Sequence, residues 1–310
     1  MDSFALSTRE AAALTRRVTA LSVATASVLT ALKVLVWTAT GSVAILASLA
    51  DSGLDLIAAL GAFVAVRYAA SPPDAEHRFG HGKAEAFASL MQAGLVFASA
   101  ALVGQAAIGR LISPHPLQRE AWGVGVMAVS TLVTAALIAV QTRVLRKARS
   151  VAVSGDRAHY LADVASNLVA LVSLGAAALL GLARLDAAGG LAVAAILLWG
   201  AVGVFRQASG ELMDHELPDE ARARIVALMT EDPRLLDVHQ LRTRASGPVI
   251  HIQAHIDLDP ELTLAAAHQV VIAAEKRVLE AFPAADIITH ADPRGRAEPH
   301  GGAFAETSKA

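Results

Sequence analysis

The chain contains no cysteine in its 310 residues. That absence excludes disulfides and thiolate metal sites, and it leaves imidazole and carboxylate as the only strong metal ligands. Aromatic residues make up 4% and charged residues 17% of the sequence, against 55% hydrophobic residues and a mean hydropathy of +0.50. A soluble domain of this size is rarely so apolar, so the composition implies a polytopic membrane protein. No H-E-x-x-H motif is present, which removes the usual signature of a zinc hydrolase. Arg16 and Arg17 lead directly into an apolar run too long for a signal-peptide h-region, so no cleavable signal peptide is expected.

Six apolar runs of spanning length are present, at about 17–39, 42–68, 86–112, 121–144, 157–182 and 187–207. Turns are expected at Thr40–Ser42, Ser113–Pro116 and Arg184–Gly190. The alternate connections carry most of the cations: Arg67, Arg78 and Lys83 in one, and Arg143, Arg146, Lys147, Arg149 and Arg157 in or beside the other. With Arg9, Arg16 and Arg17 before the first span, the positive-inside rule puts both termini in the cytoplasm. Small residues dominate the spans, as close helix packing requires, and Lys33 and Trp37 read as a snorkelling cation and an interfacial anchor.

Charge divides the chain. Residues 1–210 hold 16 Lys and Arg against 11 Asp and Glu, a net of +5, and the remainder holds 10 against 17, a net of −7. An acidic tail of this kind makes nucleic acid an unsuitable partner. The expected domains are an N-terminal tail over 1–14, short and loosely held, a six-helix membrane domain over 15–209, a tail domain over 210–292 and a disordered end over 293–310. Leu217-Pro-Asp-Glu220 starts a helix reaching about Thr230. Strands over Leu235–Arg244 and Val249–Leu258, a helix over Thr263–Phe282 and a strand over Asp286–His290 complete an αββαβ order, a small α+β domain.

Three clusters of ligand-type residues stand out. In the second span, Asp51 and Asp55 are four residues apart and share one helix face; in the fifth, His159 and Asp163 do the same. A single intramembrane acid is commonly a structural hydrogen-bonder, but two such pairs are hard to explain that way, because each unpaired carboxylate in a membrane is costly. Together they form a sulfur-free tetrahedral shell for a divalent ion. Asp74, His77 and His81 form a second set in the loop before the third span, complete only if that loop is turn-like. In the tail, strict alternation puts His251, His255, Asp257 and Asp259 on one strand face, with His239, His268, His290 and Asp292 on neighbouring elements. So many histidines in a small cysteine-free domain suggest a carboxylate and imidazole cluster. Asp156, about one turn before His159, is placed by spacing to line the cytoplasmic entrance.

These motifs carry a family resemblance. The D-x-x-x-D of Asp51/Asp55, the H-x-x-x-D of His159/Asp163, the run His77–Glu85, Leu217–Glu220 and His290-Ala-Asp292 make the chain resemble the cation diffusion facilitators from about Leu14 to Asp292, with the bacterial zinc/iron efflux antiporters as the nearest type. The resemblance implies a homodimer of six-helix bundles in the bacterial inner membrane, each with a cytoplasmic metallochaperone-like domain. It implies exchange of cytoplasmic Zn²⁺ for protons, with no enzymatic activity and no organic cofactor. Asp51, Asp55, His159 and Asp163 match the transport site, and Asp74, His77 and His81 a less universal interfacial site. His239, His255, His268, His290 and Asp292 match a structural or regulatory two-ion cluster between tail domains. Lys83 and Asp214 match a salt bridge between protomers; His251 stands where relatives often carry a non-ligand and is not counted.

Protons compete with metal for carboxylate and imidazole ligands, and His159, of ordinary pKa about 6.5, is the natural exchanging group. Iron, cadmium, cobalt and manganese are alternative cargoes, with imidazole favouring zinc-like ions over manganese. A membrane metal sensor without transport is the other reading; it accounts for the tail cluster but not for four ligands on two membrane helices.

Overall fold

A computed structural model describes residues 6–41, 43–112, 121–180 and 183–295. The expected turn at Ser113–Pro116 and the end of the chain beyond Gly295 lie outside the described residues, as does Ser42. The described chain divides into two compact units, one holding residues 1–213 with 246–248, the other 214–245 with 249–310.

The first unit is built from α1 (Thr8–Thr40), α2 (Val43–Ala69), α3 (Ala84–Ile112), α4 (Ala121–Leu145), α5 (Val151–Leu180) and α6 (Ala183–Leu212). Among the described residues, five of these helices are long and apolar enough to cross a membrane. The sixth, α5, carries Asp156, Arg157 and Asp163 yet has 30 residues, about 45 Å of helix. Pairs α1 with α2, α3 with α6, and α5 with each of α3, α4 and α6 pack against one another. Val96, Ala100, Ala162, Val193, Leu197 and Ala201 form one core between α3, α5 and α6, and their small size lets the backbones approach.

Two expectations are corrected. Residues 8–14 are helical rather than loose: Ser7 accepts from the Glu10 amide at 3.4 Å while Glu10 accepts from the Ser7 amide at 3.0 Å, a capping box that starts α1 a full two turns early. The turn expected over Arg184–Gly190 is inside α6. Gly190 serves packing there, since a Cβ at this position would lie 2.9 Å from the Ala107 methyl.

The second unit contains α7 (Asp219–Met229), β1 (Leu235–Ser246), β2 (Val249–Leu258), α8 (Leu264–Ala281) and β3 (Ala285–Pro293), the expected αββαβ order. Its sheet runs β1-β2-β3, with β2 and β3 parallel. Ile250, Ile252, Ala254, Ile256 and Leu258 alternate along β2 and are buried, as are Ile225 and Met229 of α7 and Val270, Ala274 and Val278 of α8. The opposite parity of β2 holds His251, His255 and Asp257, so the sheet separates a packed apolar face from a histidine face.

Candidate metal centres

In the membrane unit, α2 and α5 bring Asp55, His159 and Asp163 together, with one donor atom from each lying within 4.8 Å of the others. His159 Nε2 is 2.9 Å from Asp55 Oδ1 and 4.0 Å from Asp163 Oδ2. Donors bound to one tetrahedral zinc ion sit about 3.4 Å apart, so modest side-chain rotation fits all three to an ion. Asp51 is one turn from Asp55 on α2 and lines the same cavity of about 210 Å³ with Asp55 and Asp163, but it stands outside the tight trio. The i,i+4 spacing on each helix accounts for the shared faces; only the contact of α2 with α5 makes them one site.

Lys33 corrects a further expectation. It does not snorkel: it is buried, and Nζ donates to the Ser52 hydroxyl at 2.5 Å and the Ser48 carbonyl at 3.1 Å. It lines the cavity with the three carboxylates, an internal cation facing internal anions. Hydropathy alone hides this role, because a lysine near a helix end reads the same whether it points out to the interface or in to a site.

The loop between α2 and α3 is turn-like. Asp74 Oδ1 accepts from the amides of Glu76 (2.9 Å) and His77 (2.7 Å), and those backbone donors, His77 foremost, hold its carboxyl below the usual range. Gly80, at φ +82°, turns the chain so that His81 Nε2 reaches Asp74 Oδ2 at 3.1 Å, with His77 Nδ1 3.4 Å from Oδ1. The three residues meet as a candidate ligand set, and the buried His81 ring is braced by Tyr68 at 4.4 Å.

In the tail unit, Asp292 is the hub. Its Oδ2 lies 2.8 Å from His255 Nδ1 and 3.5 Å from His239 Nε2, while Oδ1 lies 3.3 Å from His290 Nε2. A carboxylate with imidazoles on both oxygens is suited to bridge two ions. The parallel register makes this cluster, pairing His255 with His290 and Asp257 with Asp292. His239 arrives from β1 beside Gln240, whose φ of +50° breaks the strand's alternation. Asp257, on the expected strand face but outside the set that the resemblance matches, joins at 3.3 Å from His239 Nε2.

His268 lies exposed on α8 and joins none of these ligand groups among the described residues. His251 is buried and sits 3.2 Å from Asp286, away from the cluster, and burial pushes its pKa down. Lys83 donates to the Leu212 carbonyl at 3.3 Å, and Asp214 pairs with Arg244 at 3.1 Å.

Comparison with known proteins matches both units of the chain. The family model for the cation efflux transmembrane domain matches residues 19–213, and that for the cation efflux protein cytoplasmic domain matches 217–294. The cation-efflux pump FieF of Klebsiella pneumoniae is 40% identical over 270 residues, covering 87% of this chain and 90% of the relative. The FieF pump of Salmonella choleraesuis (strain SC-B67) is 39% identical over 280 residues, covering 90% and 93%. With both units matched and relatives of about 40% identity over most of its length, the chain belongs to the cation efflux family, the cation diffusion facilitators.

Proposed function

We propose that this protein exports divalent metal, zinc foremost, from the cytoplasm of a bacterium in exchange for protons. The observation that carries the reading is the convergence of Asp55, His159 and Asp163 beside a polar cavity inside a helical membrane bundle. Two helices supply these groups, and a shift of one against the other opens and closes the ligand shell. Asp51 completes the shell as fourth ligand. Each ligand binds metal only when deprotonated, so a proton arriving from one side displaces an ion taken from the other. One imidazole with carboxylates and no sulfur suits zinc and, less well, Fe²⁺, Cd²⁺, Co²⁺ or Mn²⁺.

The working unit is a homodimer in the inner membrane with both termini cytoplasmic, divided as membrane domain 15–209 and tail domain 210–292. Zinc held by His239, His255, His290 and Asp292, with His268 recruited on dimerisation, neutralises the acidic tails and draws them together. Asp74, His77 and His81 hold an additional ion at the membrane surface, and Lys83 and Asp214 bridge protomers there. No organic cofactor or catalytic reaction is required.

The test is metal uptake into proteoliposomes with a pH-sensitive dye on the opposite side, for Zn²⁺, Cd²⁺, Fe²⁺ and Mn²⁺. Zinc uptake with matched proton movement, lost in His159→Ala, is the expected result. Metal binding without flux of any of the four ions would overturn the transport reading and favour a sensor.

A further inference from the structure

Beyond the ligands, the membrane unit contains a second buried polar cluster centred on Asp156 of α5. Gln141 of α4 donates to its Oδ2 at 2.8 Å and Gln92 of α3 to its Oδ1 at 3.3 Å. Ser22 of α1 bonds the same carboxylate and lies 3.2 Å from Gln141 Nε2. Ser22, Gln92 and Gln141 are 0% exposed and Asp156 is 1% exposed, so water has no route through the cluster. Four helices are tied to one carboxylate.

The placement of the cluster relative to the cavity is the same on each of the four helices that form it. The cavity holding the ligand carboxylates is lined on these helices by Leu29 and Lys33, by Ser99 and Val103, by Ser130 and Thr134, and by Asp163 and Asn167. Because neighbouring helices alternate in direction, all these positions lie on one side of Ser22, Gln92, Gln141 and Asp156, away from the end at which α1 begins. The cavity that the ligand carboxylates line is therefore on one side of the closed cluster, away from the end at which α1 begins.

From this we infer that Asp156, with Ser22, Gln92 and Gln141, is the gate that seals the transport site from the end of the bundle at which α1 begins. The inference rests on the transport reading for its purpose but not for its geometry. A polar gate suits alternating access, because its groups pair with one another when closed and with water when parted. An apolar seal would have to expose hydrophobic surface on opening. The closed form also holds a cost that opening relieves: the side-chain oxygens of Gln92 and Gln141 are buried with no hydrogen-bond partner among the described residues. Asp156 is on the same helix as His159 and Asp163, one turn away, so parting the gate moves two ligands with it. Gly155 permits the closure, since a Cβ there would overlap Gln92 Oε1 and lie 3.3 Å from the Ser89 Cα. Asp156 is thus a positioning residue that sets which side the ligands face.

The cysteine-free chain allows a direct test. Ser166→Cys places one thiol in the cavity, and full-length protein in vesicles is labelled with an impermeant maleimide from either side, the α1-start side being marked by an N-terminal tag. The parent is expected to label from the side opposite that tag. Gln141→Ala removes a donor from a carboxylate that is buried only when closed, and Gly155→Ala parts α5 from α3 by bulk while keeping every donor. Gln141→Ala should raise labelling from the tagged side about fivefold or more, the population change that loss of one hydrogen bond produces, and Gly155→Ala should raise it as well. Folded dimers of both variants that label as the parent does would overturn the gate. Aggregation of both would overturn it too, assigning the cluster to bundle packing. Labelling requires no transport, so loss of metal flux with sidedness preserved counts against the proposed function alone.

Discussion

His159 Nε2 lies 2.9 Å from Asp55 Oδ1, although the two residues are 104 positions apart in sequence. This contact joins two local helix patterns into one ligand set, and it is the first place to perturb. His159→Ala and Asp55→Asn should each reduce zinc affinity at the membrane site by at least about 100-fold, more than typical losses from removing a group that merely orients a ligand. Equilibrium zinc binding separates this from an assembly defect, because the tail cluster should keep its ions in both variants. Unchanged membrane-site affinity in either variant would remove that residue from the shell.

Lys33 should matter most when the site is metal-free. Replacing it with Leu leaves Asp51, Asp55 and Asp163 without the fixed cation beside them, a condition that buried charges tolerate poorly. The expected result is a lower melting temperature in chelator and a larger upward shift on adding zinc than in the parent. Lys33→Arg, which keeps the charge, should fall between the two. An equal zinc-induced shift in parent and Lys33→Leu would count against the role.

Asp292 touches His239, His255 and His290 with its two oxygens. Asp292→Asn should lower the number of zinc ions bound per chain and abolish the stabilisation that zinc gives the tail. Ligand linkage makes that stabilisation about 2.7 kcal/mol when free zinc is a hundred times its dissociation constant. Metal stoichiometry and thermal unfolding, measured on the same preparation, test both parts. Preserved stoichiometry would show that the histidines suffice.

His251 gives a pH dependence of known sign. Burial favours its neutral form, so its folded pKa is below the ordinary value of 6.5. As pH falls through 6.5 the unfolded chain takes up a proton that the folded chain refuses, and stability drops until the folded pKa is passed. Denaturant unfolding of the metal-free protein between pH 7.5 and 5 should therefore show a weaker acid loss in His251→Gln than in the parent. Parallel curves would rule out this contribution.

Asp74 acts in the opposite chemical direction. Its carboxyl is held below the usual range by the His77 and Glu76 amides, so the loop keeps its turn above the ordinary carboxylate pKa and loses it as pH falls through the lowered one. Asp74→Ala should expose residues 70–83 to limited proteolysis at neutral pH while leaving the membrane-site zinc affinity intact. A protease pattern identical to the parent's would show that the loop does not depend on this cap.

Local patterns made much of this legible. The i,i+4 pairs Asp51/Asp55 and His159/Asp163 mark one face of a helix because the helical period is near four residues. The alternation of His251, His255 and Asp257 marks one face of a strand for the analogous reason. The early start of α1 is signalled too, by Ser7 and Glu10, although the apolar pattern begins only later. Gly190 mimics a turn in the sequence, because a glycine pair looks the same whether it bends a chain or admits a neighbouring helix.

What the sequence by itself determined is therefore what depends on neighbours within a turn or a strand pair: membrane helices, the αββαβ order, and which residues share a face. Tertiary structure decided which faces meet. It brought Asp55 to His159, turned Lys33 inward to the carboxylates, made Asp292 the hub of three histidines, left His268 apart, and gathered Ser22, Gln92 and Gln141 on Asp156. The physical reason is that helix and strand periodicity are set by the backbone of one segment. The partner of a buried charge is set by the packing of several, where an unpaired charge is costly enough to select the arrangement that pairs it.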